Sequence, residues 1–211
     1  MSKLLFVKSS PRGEASKTNQ IAREFVTAWQ GAHPTGTVEE LDVFNAGLPE
    51  YAAEGAIAKM AHFGEGELAG DVAAAWERIK EIFNHFNSFD EYLFAIPMWN
   101  FGVPYKLKQY ADILSQPGLM FGFDPAQGYI PLLKGKRATA IYSAGIWHEG
   151  ASKAFGVDYA STHWTDFLNF AGIEDVTTIW YEKYKMLSEI DAAAALDACK
   201  AEARAAAVRP R

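Results

Sequence analysis

The fold class is decided by the stretch Leu4-Leu5-Phe6-Val7-Lys8-Ser9-Ser10-Pro11-Arg12-Gly13-Glu14-Ala15-Ser16-Lys17-Thr18. Its first four residues are apolar and predict a buried β-strand, and a helix begins among its last three residues. Apolar residues then recur at intervals of three and four on one helix face: Ile21, Ala22, Phe25, Val26 and Trp29. A strand that passes through a loop into an amphipathic helix is typical of a parallel α/β sheet.

Four more short apolar runs alternate with amphipathic stretches. They predict strands at residues 38–43, 92–96, 138–142 and 176–181. Helical spacing recurs at residues 72–86, after Pro104, at residues 160–171, and from Ser188, where Ser188-Glu189-Ile190-Asp191 has the spacing of a capping box. We therefore predict a doubly wound five-stranded parallel sheet with helices on both faces, formed by a single domain over residues 1–211.

Proline and glycine mark the remaining boundaries. Pro104 suits the first turn of the following helix, because proline lacks the N–H that is unpaired there. Between Gln116 and Leu133, frequent prolines and glycines interrupt aromatic residues and predict an excursion with a short hairpin. Residues 44–70 are predicted to form a loop and a helix that covers a site or a partner.

Composition excludes several classes of protein. The 211 residues carry a formal charge of −6, which disfavours binding to a nucleic-acid backbone or an anionic membrane. No apolar run is long enough for a secretory signal or a membrane span, so we expect a cytoplasmic protein. The single cysteine, Cys199, excludes an internal disulfide and is predicted to be a helix-surface or packing residue.

In an open doubly wound sheet, ligands bind beyond the carboxyl ends of the strands. The loop after the first strand supplies the hydroxyls of Ser10, Ser16 and Thr18, together with Lys17, immediately before a helix whose dipole favours an anion. It has neither a dinucleotide-binding nor a P-loop pattern, so a single phosphomonoester is the anion that it suits. The alternative is an ordinary helix N-cap.

The loop after the third strand combines large side chains with a carboxamide and a glycine. Met98, Trp99, Asn100 and Phe101 precede Gly102, and this set suits a flat heteroaromatic ring, which Trp99 and Phe101 would flank. The glycine would let the backbone approach the ring closely. The alternative is a hydrophobic corner between strand and helix.

The loop after the fourth strand offers Ser143, Ala144 and Gly145, whose backbone amides would face the edge of such a ring. His148 follows and is either a proton donor or a solvated loop residue. No nucleophile elbow is present, and the five histidines are dispersed without carboxylates at metal-ligand spacing. We therefore predict neither a serine nucleophile nor a metal site.

Several motifs together resemble the FMN-dependent NADH-azoreductases and related quinone reductases. These are Lys8-Ser9-Ser10, Ser16-Lys17-Thr18-Asn19-Gln20, Pro97-Met98-Trp99-Asn100-Phe101-Gly102-Val103-Pro104 with Leu107-Lys108, Pro117-Gly118-Leu119-Met120-Phe121, and Ser143-Ala144-Gly145. The resemblance implies a flavodoxin-like homodimer that holds FMN near the subunit interface. It also implies a ping-pong reaction in which NADH or NADPH reduces the flavin and a quinone or azo compound then takes the electrons.

Carried over residue by residue, the resemblance places the family's phosphate contacts on Ser10, Ser16, Lys17 and Thr18. Its ring and ribityl contacts fall on Met98, Trp99, Asn100 and Phe101, and its pyrimidine-edge contacts on Ser143, Ala144 and Gly145. The chain departs from the family pattern at Ala144, where many relatives carry arginine, and at Ile146, where they carry a second glycine. Trp99 stands where tyrosine is common.

Two other functions stay open from the sequence. One is an FMN-binding electron carrier of the flavodoxin type that turns over no substrate. The other is a flavin-free regulatory or structural dimer, for which the altered residues Ala144 and Ile146 are the argument. The sequence does not distinguish quinone from azo substrates or NADH from NADPH, because pocket shape decides both.

Overall fold

The computed structural model describes residues 2–210 and places all five predicted strands in one sheet. The predicted strands are β1 (Lys3–Lys8), β2 (Thr37–Asp42), β3 (Glu91–Pro97), β6 (Arg137–Ser143) and β7 (Asp175–Tyr181). Two further strands, β4 (Phe121–Asp124) and β5 (Gly128–Pro131), form a separate pair. The main sheet is parallel with the order β2-β1-β3-β6-β7. The predicted five-stranded parallel sheet is therefore confirmed.

Residues 2–210 contain six α-helices. They are α1 (Lys17–Ala32), α2 (Ala53–Ala61), α3 (Gly70–Asn87), α4 (Tyr105–Leu114), α5 (Ala160–Ala171) and α6 (Glu189–Ala207). Helix α2 packs on α3, and the others lie on the two faces of the sheet. Leu4 and Phe6 of β1 pack with α1 and α6 in one core cluster, while Leu5 and Val7 pack with α3, α4 and α5 in the other. Because successive side chains of a strand point to opposite faces, a strand covered on both faces reads as an unbroken apolar run.

Helix starts agree with the sequence at α1, which begins at Lys17 as predicted, and at α6, and differ at α4. At α6, the Ser188 hydroxyl accepts the Asp191 N–H at 3.1 Å, as the capping-box spacing predicts. At α4, Pro104 lies one residue before the first turn, at the N-cap, so its predicted first-turn position is wrong. Its ψ of 141° is extended, and its carbonyl instead accepts the first helical N–H groups, from Leu107 and Lys108.

The excursion at residues 116–133 contains the predicted hairpin, which pairs β4 with β5 in antiparallel fashion. Residues 44–70 form a loop and α2, as predicted. Cys199 is buried in α6, where its thiol donates to the Trp180 carbonyl, and burial raises the pKa of this thiol to about 11. It is a packing residue. No helix within residues 2–210 is long and apolar enough to cross a membrane.

Candidate functional site

A cleft made of two adjoining cavities lies at the carboxyl edge of the sheet, where the loops after β1, β3 and β6 meet. Its inner end has a volume of about 230 Å³ and its outer end about 500 Å³. Met98, Gly145 and Tyr184 line both ends. The cleft brings together ten of the eleven predicted site residues: Ser10, Ser16, Lys17, Met98, Trp99, Asn100, Phe101, Ser143, Ala144 and Gly145.

The inner end is formed by the amino terminus of α1. The first helical hydrogen bond runs from the Gln20 N–H to the Ser16 carbonyl at 3.0 Å, so the three amides of residues 17–19 precede it. Within residues 2–210 none of these amides has an acceptor, and the first turn carries no acid. The helix therefore presents free N–H groups and the positive end of its dipole to the cleft.

Some hydroxyls of the same loop are bonded within the protein, and others are free to bind a ligand. The Ser9 hydroxyl donates to the Ala95 carbonyl at 2.6 Å and fixes the loop to β3. The Ser10 hydroxyl, in contrast, lines the cleft and has no partner in the described part of the chain. Thr18 is the predicted residue that does not line the cleft, since it is fully buried and bonds the Ser16 hydroxyl at 2.9 Å.

The loop after β3 makes a tight two-residue turn. Trp99 and Gly102 exchange both backbone hydrogen bonds at 2.9 Å, and the central residues Asn100 and Phe101 have φ values of 47° and 72°. Two positive φ angles are the mark of a type I′ turn. Asparagine tolerates this conformation, but an aromatic residue rarely adopts it, so the Phe101 backbone is strained.

Neighbouring residues hold this strained turn in place. The Tyr159 N–H donates to the Phe101 carbonyl at 2.9 Å. The Phe101 ring lies against Gly156, where an added Cβ would come within 2.5 Å of it. Glycine at position 156 therefore makes room for the ring. Trp99 lines the inner end of the cleft and Phe101 the outer end.

The loop after β6 agrees only partly with expectation. The Ala144 N–H donates to the Tyr181 carbonyl at 3.0 Å, so the prediction that this amide faces a ring is wrong. The amides of Gly145 and Ile146 have no acceptor within the described chain and stay available beside the cleft. His148 does not line the cleft, and its ring packs near Phe155 with a centroid distance of 5.9 Å.

Several lining residues were not assigned from the sequence: Arg12, Lys153, Phe155, Tyr184 and Lys185. Tyr184 and Lys185 follow β7, which pairs with β6 and brings its own terminal loop to the cleft. No aspartate, glutamate or histidine of the described chain lines either end. Residues 2–210 also contain no group of three or more side chains suited to a metal ion. The cleft can therefore hold an anion and a flat ring, and its titratable lining residues are lysines, an arginine and a tyrosine.

Comparisons with known proteins show the family and the fold of the chain. The family model described as "Flavodoxin-like fold" matches residues 2–207. An FMN-dependent NADH:quinone oxidoreductase from Ruegeria pomeroyi is 42% identical over 182 residues, which cover 86% of this chain and 89% of the relative. One of the same name from Burkholderia lata is 32% identical over 209 residues, covering 97% and 99%.

A solved structure of an azoreductase from Bacillus anthracis aligns with a TM-score of 0.89 at 25% identity and covers 99% of both chains. The resemblance stated from the sequence motifs and the flavodoxin-like fold are thereby confirmed. The chain belongs to the flavodoxin-like family of FMN-dependent NADH:quinone oxidoreductases.

Proposed function

We propose that this protein reduces quinones or azo compounds with electrons from NADH, using FMN bound in the cleft. The observation that carries the proposal is the pairing of an uncapped helix terminus with a cleft lined by aromatic side chains at the same sheet edge. Bound FMN supplies the redox chemistry, accepting a hydride from a nicotinamide and passing two electrons to the acceptor. The names of the relatives support this function.

The inner end fits the phosphate of FMN. Ser10 offers a hydroxyl without a protein partner, and the amides at the start of α1 point to the same space. Lys17 and Arg12 add positive charge there. We propose that Ser10, Ser16 and Lys17 hold the phosphate directly and that Thr18 acts by orienting the Ser16 hydroxyl.

The remaining walls fit a flat ring system. Met98, Trp99, Asn100 and Phe101 line the cleft beyond the phosphate end, and they are proposed to contact the ring and the ribityl chain. Ser143, Ala144 and Gly145 are proposed to lie along its pyrimidine edge, where the free amides of residues 145 and 146 would stabilise negative charge. These residues orient the ring and exclude water, and none acts as a nucleophile.

Donor and acceptor are proposed to use the cleft in turn, as a ping-pong mechanism requires. The outer end, at about 500 Å³, is the larger of the two cavities and lies beside the proposed ring position. We take NADH as the donor because the relatives' names specify it, and we propose the cytoplasm, where NADH is available, as the place of action. Parallel lines in double-reciprocal plots of initial rates are the kinetic signature.

The visible spectrum of the purified protein tests the central proposal. With FMN added and unbound flavin removed, we expect a flavin spectrum that NADH bleaches without oxygen and that benzoquinone restores. Steady-state consumption of NADH should then depend on benzoquinone. Bleaching without turnover would instead fit an electron carrier, and absence of flavin absorbance would fit the flavin-free alternative. Either result contradicts the proposed enzyme.

We also propose that the protein is a homodimer whose second copy covers the outer end of the cleft. The supporting observation is the set of large exposed apolar side chains around it: Phe101, Ile146, Phe155 and Tyr159. Such patches are typical of protein interfaces. Light scattering should give twice the chain mass of 23.3 kDa, and Tyr159→Glu should lower it. Ile190→Glu, on the exposed side of α6, is the matched control. A monomer at micromolar concentration would contradict the proposal.

A further inference from the structure

Basic side chains without an acidic partner gather at the cleft. Over most of the surface, arginines are neutralised: Arg23, for example, bonds both Glu14 and Glu40. Four cations line the cleft, and none has a carboxylate within 4.0 Å among residues 2–210, as is also true of lysines elsewhere such as Lys134: Arg12, Lys17, Lys153 and Lys185. In a chain of net charge −6, the cleft is therefore a local region of positive potential.

These four cations form two groups. Arg12 and Lys17 lie at the inner end, where the proposed phosphate of FMN accounts for them. Lys153 and Lys185 line the outer end, where that phosphate does not. Both residues are exposed and line the cavity that donor and acceptor are proposed to use. The proposed cofactor therefore leaves this second pair without a function.

The local fold positions Lys185 over the cleft. Its N–H donates to the Gly145 carbonyl at 2.9 Å, which ties it to the loop after β6. Its aliphatic stem lies against Gly145, where an added Cβ would approach Cγ and Cδ within 3.3 Å. Lys153 belongs to a second loop, at the start of the 3₁₀ turn Lys153–Phe155. Two separate segments thus each contribute one lysine to the lining of the same cavity.

We propose that Lys153 and Lys185 form a subsite for an anionic group on a substrate of this cleft. The substrate class is an aromatic compound with a sulfonate, carboxylate or phosphate, because Trp147, Phe155 and Phe101 line the same cavity. This proposal rests on the proposed function. The anionic group that the subsite binds then belongs either to the donor, as the diphosphate of NADH, or to the acceptor, as a charged substituent. An exposed ion pair contributes little, so each lysine should change selectivity by about threefold and both together by about tenfold.

The test compares charged and neutral substrates in the FMN-loaded protein. For the acceptor, the quantity is the ratio of kcat/KM for naphthoquinone sulfonate to that for naphthoquinone. For the donor, it is the ratio for NADH to that for N-benzyl dihydronicotinamide, which has no phosphate. The variants are Lys153→Gln, Lys185→Gln and the double variant. Lys134→Gln is the control, because Lys134 is exposed, has no ion pair in the described chain and lies outside the cleft.

A fall of about tenfold in either kcat/KM ratio in the double variant, lessened by added salt, supports the subsite. The ratio that falls identifies whether the anionic group belongs to the donor or to the acceptor. Unchanged ratios overturn it, and so does an equal fall with Lys134→Gln. Loss of FMN affinity in the double variant also overturns it, because the lysines would then serve the cofactor. Equilibrium binding of the two naphthoquinones, followed by tryptophan fluorescence, gives the acceptor comparison even where turnover is absent. Failure of the enzymatic function is thereby separated from failure of the subsite.

Discussion

Replacing Lys17 by glutamate should weaken FMN binding about a hundredfold while making the apoprotein slightly more stable. Lys17 is the first residue of α1, where a positive side chain opposes the helix dipole. Glutamate would favour the dipole and raise the free energy of unfolding by up to about 1 kcal/mol. The same carboxylate would repel the proposed phosphate, and a hundredfold loss of affinity corresponds to about 2.8 kcal/mol.

Two measurements on one variant test this opposition. Urea unfolding of the apoprotein gives the stability, and titration of FMN, followed by flavin fluorescence, gives the dissociation constant. Lys134→Glu is the matched control, since it makes the same charge change on an exposed loop remote from the cleft. If Lys17→Glu stabilises the apoprotein but leaves FMN affinity at the level of the control, the phosphate does not bind at the start of α1.

The second large effect concerns stability alone. Gly172 ends α5 with φ 99° and ψ 18°, and the Ile173 N–H returns to the Leu168 carbonyl at 2.9 Å, as in a Schellman motif. An added Cβ would lie 2.3 Å from the Leu133 carbonyl oxygen. Gly172→Ala should therefore lower the free energy of unfolding by about 4 kcal/mol, combining left-handed backbone strain with a backbone clash.

Gly150→Ala separates these two causes. Gly150 also has a positive φ, 76°, but no atom lies within 4 Å of a Cβ at that position. This variant should lose only the backbone contribution, about 1 kcal/mol. Urea unfolding of both variants measures the difference. Equal losses would mean that the hairpin end at Leu133 moves freely to accept the methyl group.

The sheet could be predicted from the sequence because its strands are buried on both faces. In β1 both sets of alternating side chains enter a core, so the strand is visible as an unbroken apolar run. The loops after β1, β3 and β6 could then be assigned to one edge, since parallel strands end together. Ten of the eleven residues expected at the site do line the cleft for this reason.

What could not be predicted depends on contacts between distant residues. The Ala144 amide is occupied by the Tyr181 carbonyl, and no local pattern reveals that pairing. Tyr184 and Lys185 reach the cleft only because β7 lies beside β6. Thr18 has the residue type of a phosphate contact, yet its hydroxyl supports Ser16 instead of lining the cleft. Residue type and spacing identify the site, whereas hydrogen-bond partners follow from the assembled sheet.

The left-handed turn at Asn100 and Phe101 affects whether the free-energy cost of shaping the cleft falls on folding or on ligand binding. Strain of this kind at Phe101 amounts to roughly 1–3 kcal/mol, and contacts within the chain itself, from Gly156 and Tyr159, hold the turn in place. The protein therefore meets part of the cost of shaping its cleft when the chain folds, not when a ligand arrives. Selection for greater thermal stability alone would tend to relax this turn, so heat resistance and the proposed role of Asn100 and Phe101 in contacting the ring impose opposing demands on the same residues.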